Sequence, residues 1–114
     1  MCGKEQLQTV VHDVVSGMSD VLGNKLQSLL LYGSYARGDY NDDSDVDFLA
    51  LVDAHKKELS QFRRPVSKVA SRTGLKHDVM VSITLIDQRT FQQFNKALPF
   101  FTTVSREGVN VFAR

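Results

Sequence analysis

At 114 residues, with 42% hydrophobic and 24% charged side chains, the chain is expected to fold as a single globular domain over residues 1–114, with no room for a second substrate-binding domain. A formal net charge of only +1 gives no global electrostatic reason to expect direct nucleic-acid binding. No apolar run approaches membrane-spanning length or has the form of a signal peptide, and the lone Cys2 has no intrachain disulfide partner, so a reducing cytoplasm is the expected location and Cys2 is expected to be inert.

Leu7, Val10, Val11, Val14, Met18, Val21 and Leu22 recur three and four residues apart, which predicts an amphipathic first helix ended by Gly23. The apolar run over 29–32 then predicts a buried strand that stops at Gly33, and a short helix can open at Ser34. Val46–Val52 predicts a second strand, apolar on both faces past Asp47, so helices are expected to cover each side of the sheet. Asp53 can cap a longer helix carrying Leu59, Phe62, Val66, Val69 and Ala70 as far as Gly74, with Pro65 expected to kink or divide it. Residues 79–86 alternate as a half-exposed strand, Asp87 can cap a short helix, Pro99 can start another that ends near Gly108, and 109–112 can add a last strand. The predicted class is α/β or α+β, a small mixed β-sheet with flanking helices.

The connections fix strand polarity. A short link makes the first two strands antiparallel neighbours, whereas a helical crossover makes the second and third parallel. Both of the latter then start at one edge of the sheet, which is expected to gather Gly33, Ser34, Asp45, Asp47 and Asp78. Residues two apart on a strand share a face, so Asp45 and Asp47 project together and repel each other unless a cation lies between them. Oxygen donors with room for phosphate oxygens and water suit Mg²⁺, and no cluster of Cys and His competes. One or two ions are expected on Asp45 and Asp47, and a third carboxylate at Asp78 would let two sit about 3.5–4 Å apart.

Gly33 lets the backbone approach a ligand, Ser34 offers N–H groups and a hydroxyl to phosphate, and Arg37 can neutralise phosphate charge. Each part alone has a plainer explanation: Gly-Ser is usually a turn, Asp-x-Asp usually a solvated or capping pair, and Arg37 an ordinary surface arginine. Asp43, Asp45 and Asp47 match the start of an EF-hand loop, but Phe48 and Ala54 stand where that loop requires Gly and Glu. A P-loop is excluded because no Gly-Lys-Ser/Thr follows a strand.

The stretch GSYARGDYNDDSDVDFLAL resembles the signature of the DNA polymerase β-like nucleotidyltransferase superfamily. The whole chain, including KHDVMVSI and PFFTTVSREGVNVF, is similar to the minimal nucleotidyltransferases paired with HEPN-domain proteins in toxin–antitoxin modules. That resemblance implies metal binding by Asp45 and Asp47, metal sharing and acceptor activation by Asp78, and triphosphate binding by Gly33 and Ser34. It also implies ATP as the nucleotide, an AMP-transfer reaction onto a tyrosine, and a HEPN ribonuclease toxin as partner, with the chain acting as its antitoxin.

Two alternatives stay open: a non-catalytic antitoxin acting by occupancy, and transfer to a small molecule, which the absent second domain disfavours. The remaining candidates have plain readings. His77 is expected on the surface, His12 and His55 lack partners, Tyr35 and Tyr40 are expected to pack, and Asp39, Asp42 and Asp43 are expected to be solvated loop. Phe91, Phe94, Phe100 and Phe101 read most simply as core, with part of the group available as a partner surface.

Overall fold

The spacing of the first helix is realised in α1, Lys4–Leu22, where Val10, Val14, Met18 and Leu22 are all buried and Gly23 takes φ 54° to end it. The computed structural model describes residues 3–41 and 43–114, so Cys2 and Asp42, expected above to be inert and solvated, lie outside the described residues. A single 3₁₀ turn, Gly23–Lys25, leads into β1, Leu26–Tyr32. The strand begins before the apolar run because Leu26, buried and paired with Val52, reaches the sheet across an irregularity in register that the polar Gln27 and Ser28 accompany.

The link from β1 contains the short helix α2, Ser34–Arg37, and β2 follows as Val46–Val52. The two strands are antiparallel, with Tyr32 directly opposite Asp47.

The long helix α3, Lys56–His77, departs from the sequence expectation at both its middle and its end. Pro65 neither divides nor stops it. Losing one helical donor costs about 3 kcal/mol in an isolated helix, but Leu59, Val66 and Val69 keep a buried stripe running on both sides of the proline. Its N-cap is His55 rather than Asp53, with no side-chain bond.

Gly74 is a buried helical residue, not a terminator: a Cβ there would come within 2.6 Å of the Val79 carbonyl oxygen. The glycine therefore admits the returning chain, and the Val79 N–H donates to the Gly74 carbonyl at 3.0 Å.

The helix ends instead at Asp78, left-handed at φ 54° and ψ 47°. After it, β3 spans Val81–Asp87 and pairs in parallel with β2, Val46 against Val81 and Asp47 against Ser82. Asp87 does cap α4, Gln88–Phe94, accepting from the Arg89 N–H at 3.1 Å. Helix α5, Pro99–Glu107, starts on its proline and stops at Gly108, and β4, Val109–Ala113, pairs antiparallel with β1. The result is a mixed four-stranded sheet in the order β3-β2-β1-β4.

The alternation of β2 sorts the sheet into two faces. Val46, Phe48, Ala50 and Val52 point into the larger core with α1 and α3, beside Leu29, Leu31 and Leu85. Leu49 and Leu51 point the other way, into a smaller core with Leu30, Phe91, Phe101 and Val104 from β1, α4 and α5. Strand parity assigns Asp47, Ser82, Thr84 and Tyr32 to this second face. The aromatic group divides accordingly: the Phe91 and Phe101 rings pack 5.2 Å apart in the core, while Phe94 and Phe100 are 37% and 43% exposed. No helix among the described residues is long and apolar enough to cross a membrane.

Candidate active site

Gly33 closes β1 with φ 79° and ψ −157°, a combination that only glycine adopts without strain. Its carbonyl accepts the N–H groups of Ala36 and Arg37, each at 3.1 Å, which winds α2 immediately after the strand. A Cβ at Gly33 would lie 2.7 Å from Asp47 Oδ2. The absent side chain is thus what allows the carboxylate of β2 to lie against the turn that ends β1. Ser34 is half-buried in the first position of α2.

Asp45 is exposed just ahead of β2, and Asp47 is half-buried as its second residue. Burial first, and the neighbouring Asp45 charge second, push the Asp47 carboxyl above its ordinary value of 3.8. Neither carboxylate forms an ion pair among the described residues. Two oxygen-donor groups that repel each other and have no cation of their own fit a hard divalent ion. The Tyr32 phenol lies over the same face: burial and the Asp47 charge push its pKa up, while a hydrogen bond with Thr84 works in the opposite direction.

The expected third carboxylate does not join this pair. Asp78 starts from the correct edge of the sheet, but it sits in the left-handed cap of α3 three residues before β3 begins, so strand alternation does not aim it at Asp47. It lines a cavity of about 630 Å³ with Tyr35, Asp43, Ser44, Gly74 and Met80, and Asp45 and Asp47 are not among that cavity's walls. No group of three or more His, Cys, Asp or Glu able to hold a metal occurs among the described residues. The positions of β3 that do share the Asp47 face carry hydroxyls, Ser82 and Thr84.

Arg37 lies at the end of α2, where its guanidinium donates to Asp39 at 3.1 Å and to Glu107 of α5 at 3.2 Å. Both carboxylates hold its charge more firmly than in a free side chain. The sequence offered no sign of Glu107, seventy residues away.

His77, expected on the surface, is largely buried with Nε2 2.7 Å from Asp13 Oδ2, so it ties α3 to α1. Tyr35 and Tyr40 pack as expected, stacked with centroids 4.2 Å apart. His12 and His55 are exposed. Tyr32 and Thr84 were missed, although the parity of the predicted strands already assigned them to the Asp47 face.

A mixed sheet that ends one strand on a glycine turn and opens its antiparallel neighbour on paired carboxylates is found here in a chain that matches an enzyme class, the nucleotidyltransferases. The chain belongs to the nucleotidyltransferase domain family, whose model matches residues 18–105. It is 36% identical over 104 residues, 90% of this chain and 95% of the relative, to "Putative protein adenylyltransferase MJ0141" of Methanocaldococcus jannaschii.

Among solved structures, it matches a chain in the crystal structure of a toxin–antitoxin with AMP-PNP at TM-score 0.61 and 17% identity, covering 91% of this chain and 73% of that one. It also matches a chain in the structure of the tri-AMPylated Shewanella oneidensis HEPN toxin in complex with an MNT antitoxin, at TM-score 0.59 and 17% identity over 94% and 72%. These likenesses establish the fold, that of the DNA polymerase β-like nucleotidyltransferases.

Proposed function

We propose that this chain is a metal-dependent protein adenylyltransferase that moves AMP from ATP to a tyrosine hydroxyl of a HEPN ribonuclease toxin and so serves as its antitoxin. The observation that carries the reading is the pair of exposed Asp45 and half-buried Asp47, without a cation of its own, with Asp47 set against the glycine turn that opens α2. The similarity to the named adenylyltransferase over 90% of the chain supports protein as the acceptor class. The structural likeness to toxin–antitoxin chains, one crystallised with AMP-PNP, supports the nucleotide and the partner.

In this reading Asp45 and Asp47 hold Mg²⁺, which when bound neutralises phosphate charge. Gly33 and Ser34 meet the triphosphate through backbone N–H groups and the Ser34 hydroxyl. The acceptor oxygen forms a bond to the α-phosphorus as the bond to the β-phosphate oxygen breaks, releasing pyrophosphate, while the acceptor loses its proton. A tyrosine phenol, which ionises near about 10, gives up that proton far more readily than an aliphatic alcohol.

A second reading is an antitoxin that binds its toxin without modifying it. The separation of Asp78 from the carboxylate pair favours it. Incubation of the chain with labelled ATP, Mg²⁺ and the protein encoded beside it distinguishes the two. Transfer is expected, and it should vanish in Asp45→Asn plus Asp47→Asn together with neutralisation. Neutralisation that survives without transfer makes the chain a binding module, and transfer that survives both changes removes the carboxylates from the mechanism.

A further inference from the structure

The strand register fixes which side chains neighbour Asp47 on its face of the sheet. Across β2 on one side stands Tyr32, opposite Asp47 on β1, and on the other stands Ser82, opposite Asp47 on β3, with Thr84 the next residue of that strand on the same face. Tyr32 and Thr84 lie on the same face, on the two strands either side of β2. Both strands that flank the carboxylate therefore present hydroxyls to it. Asp78, just ahead of β3, forms the left-handed cap of α3, with its N–H bonded to the Gly74 carbonyl, and lies off the strand that runs beside Asp47.

Two divalent ions side by side need a bridging set of charged oxygens. Beyond the phosphate oxygens that a nucleotide brings, the charged protein oxygens at this face are those of Asp45 and Asp47, and phenol and alcohol oxygens add no charge at neutral pH.

We infer that this centre binds a single divalent cation with its nucleotide, held by Asp45 and Asp47, and that the hydroxyl side chains flanking Asp47 on β1 and β3, Tyr32, Ser82 and Thr84, standing where a third carboxylate could share a second ion, set that count. The inference rests on the nucleotide-binding reading given above and deepens it. The acceptor then receives no protein carboxylate from β3, and its own acidity matters correspondingly more.

Counting bound Mn²⁺ by its electron paramagnetic resonance signal tests this directly, with the full chain and a non-hydrolysable ATP analogue. One tightly bound Mn²⁺ per ternary complex is expected, and two would overturn the inference while leaving the nucleotide-binding reading intact. If neither Mn²⁺ nor the analogue bound, the function proposed above would fail along with it.

The same count in Thr84→Asp and in the more exposed Ser82→Asp tests the cause. At least one of the two, folded by circular dichroism, should rise from one ion to two. If both folded and both stayed at one, the missing carboxylate would not be what limits the site.

Discussion

The two faces of the sheet are built from the same strands and do opposite things. On the face covered by α1 and α3, Val46, Phe48, Ala50 and Val52 are all fully buried, and the polar groups at its margin find partners, as Asp13 does with His77 and Lys76. On the other face the apolar run of β2 starts only at Leu49, and Asp47 is left half-buried and unpaired at the mouth. The first face satisfies its charges and so gains stability from them. The second holds a carboxylate in an unfavourable state, which is what a binding site for a cationic or metal-bearing ligand requires.

Breaking the closed face should have the largest effect. Phe48→Ala removes a fully buried ring from the larger core and is expected to cost about 3–5 kcal/mol, read as a lower denaturant midpoint with the slope unchanged. For a domain of this size that is a large share of a total of about 5–15 kcal/mol. An effect well under 1 kcal/mol would show that α1 and α3 do not close over the sheet as described.

Gly33→Ala sits where the faces meet the site. Its strained backbone costs about 1–3 kcal/mol, and its Cβ would displace Asp47 Oδ2 from 2.7 Å, so metal-dependent nucleotide binding should fall by more than the loss of stability explains. Calorimetric titration with the Mg²⁺ complex of an ATP analogue, beside a melting curve, separates the two losses.

The smallest effects should have opposite signs on the two faces. The Asp13 carboxyl is held below its ordinary value of 3.8, first by the hydrogen bond to His77 and then by Lys76. Its contribution is present above that value and is lost as pH falls through the lowered pKa. The Asp47 carboxyl is raised, so the fold prefers it protonated, and that preference is lost as pH rises from 3.8 through the raised pKa. Asp13→Asn should therefore lower the urea midpoint at about pH 7 and match the wild type at about pH 2, while Asp47→Asn should raise the midpoint at about pH 7 and match at about pH 2. Two shifts of the same sign at neutral pH would contradict the contrast between the faces.

Much of this architecture is legible in local patterns. Spacings of three and four marked α1, the alternation of 79–86 marked β3 to within two residues, and Asp87, Pro99 and Gly108 marked the ends of α4 and α5 as they occur. Link length settled that β1 and β2 are antiparallel and that β2 and β3 are parallel. The failures share a physical cause. Pro65 and Gly74 act locally as breakers, but the buried stripe of α3 and the close return of Val79 are tertiary facts that outweigh them.

The sequence by itself determined the sheet, its strand directions and the meeting of Gly33 with Asp47, because period, parity and connection length are written into neighbouring residues. Only the tertiary structure decided which other groups share that site. Asp78 is carried away by the left-handed turn that closes α3, Arg37 is drawn to Glu107, and the Tyr32 ring meets Phe100 of α5 edge-on. Each of these depends on where a chain segment far off in sequence comes to rest, and no local pattern encodes that.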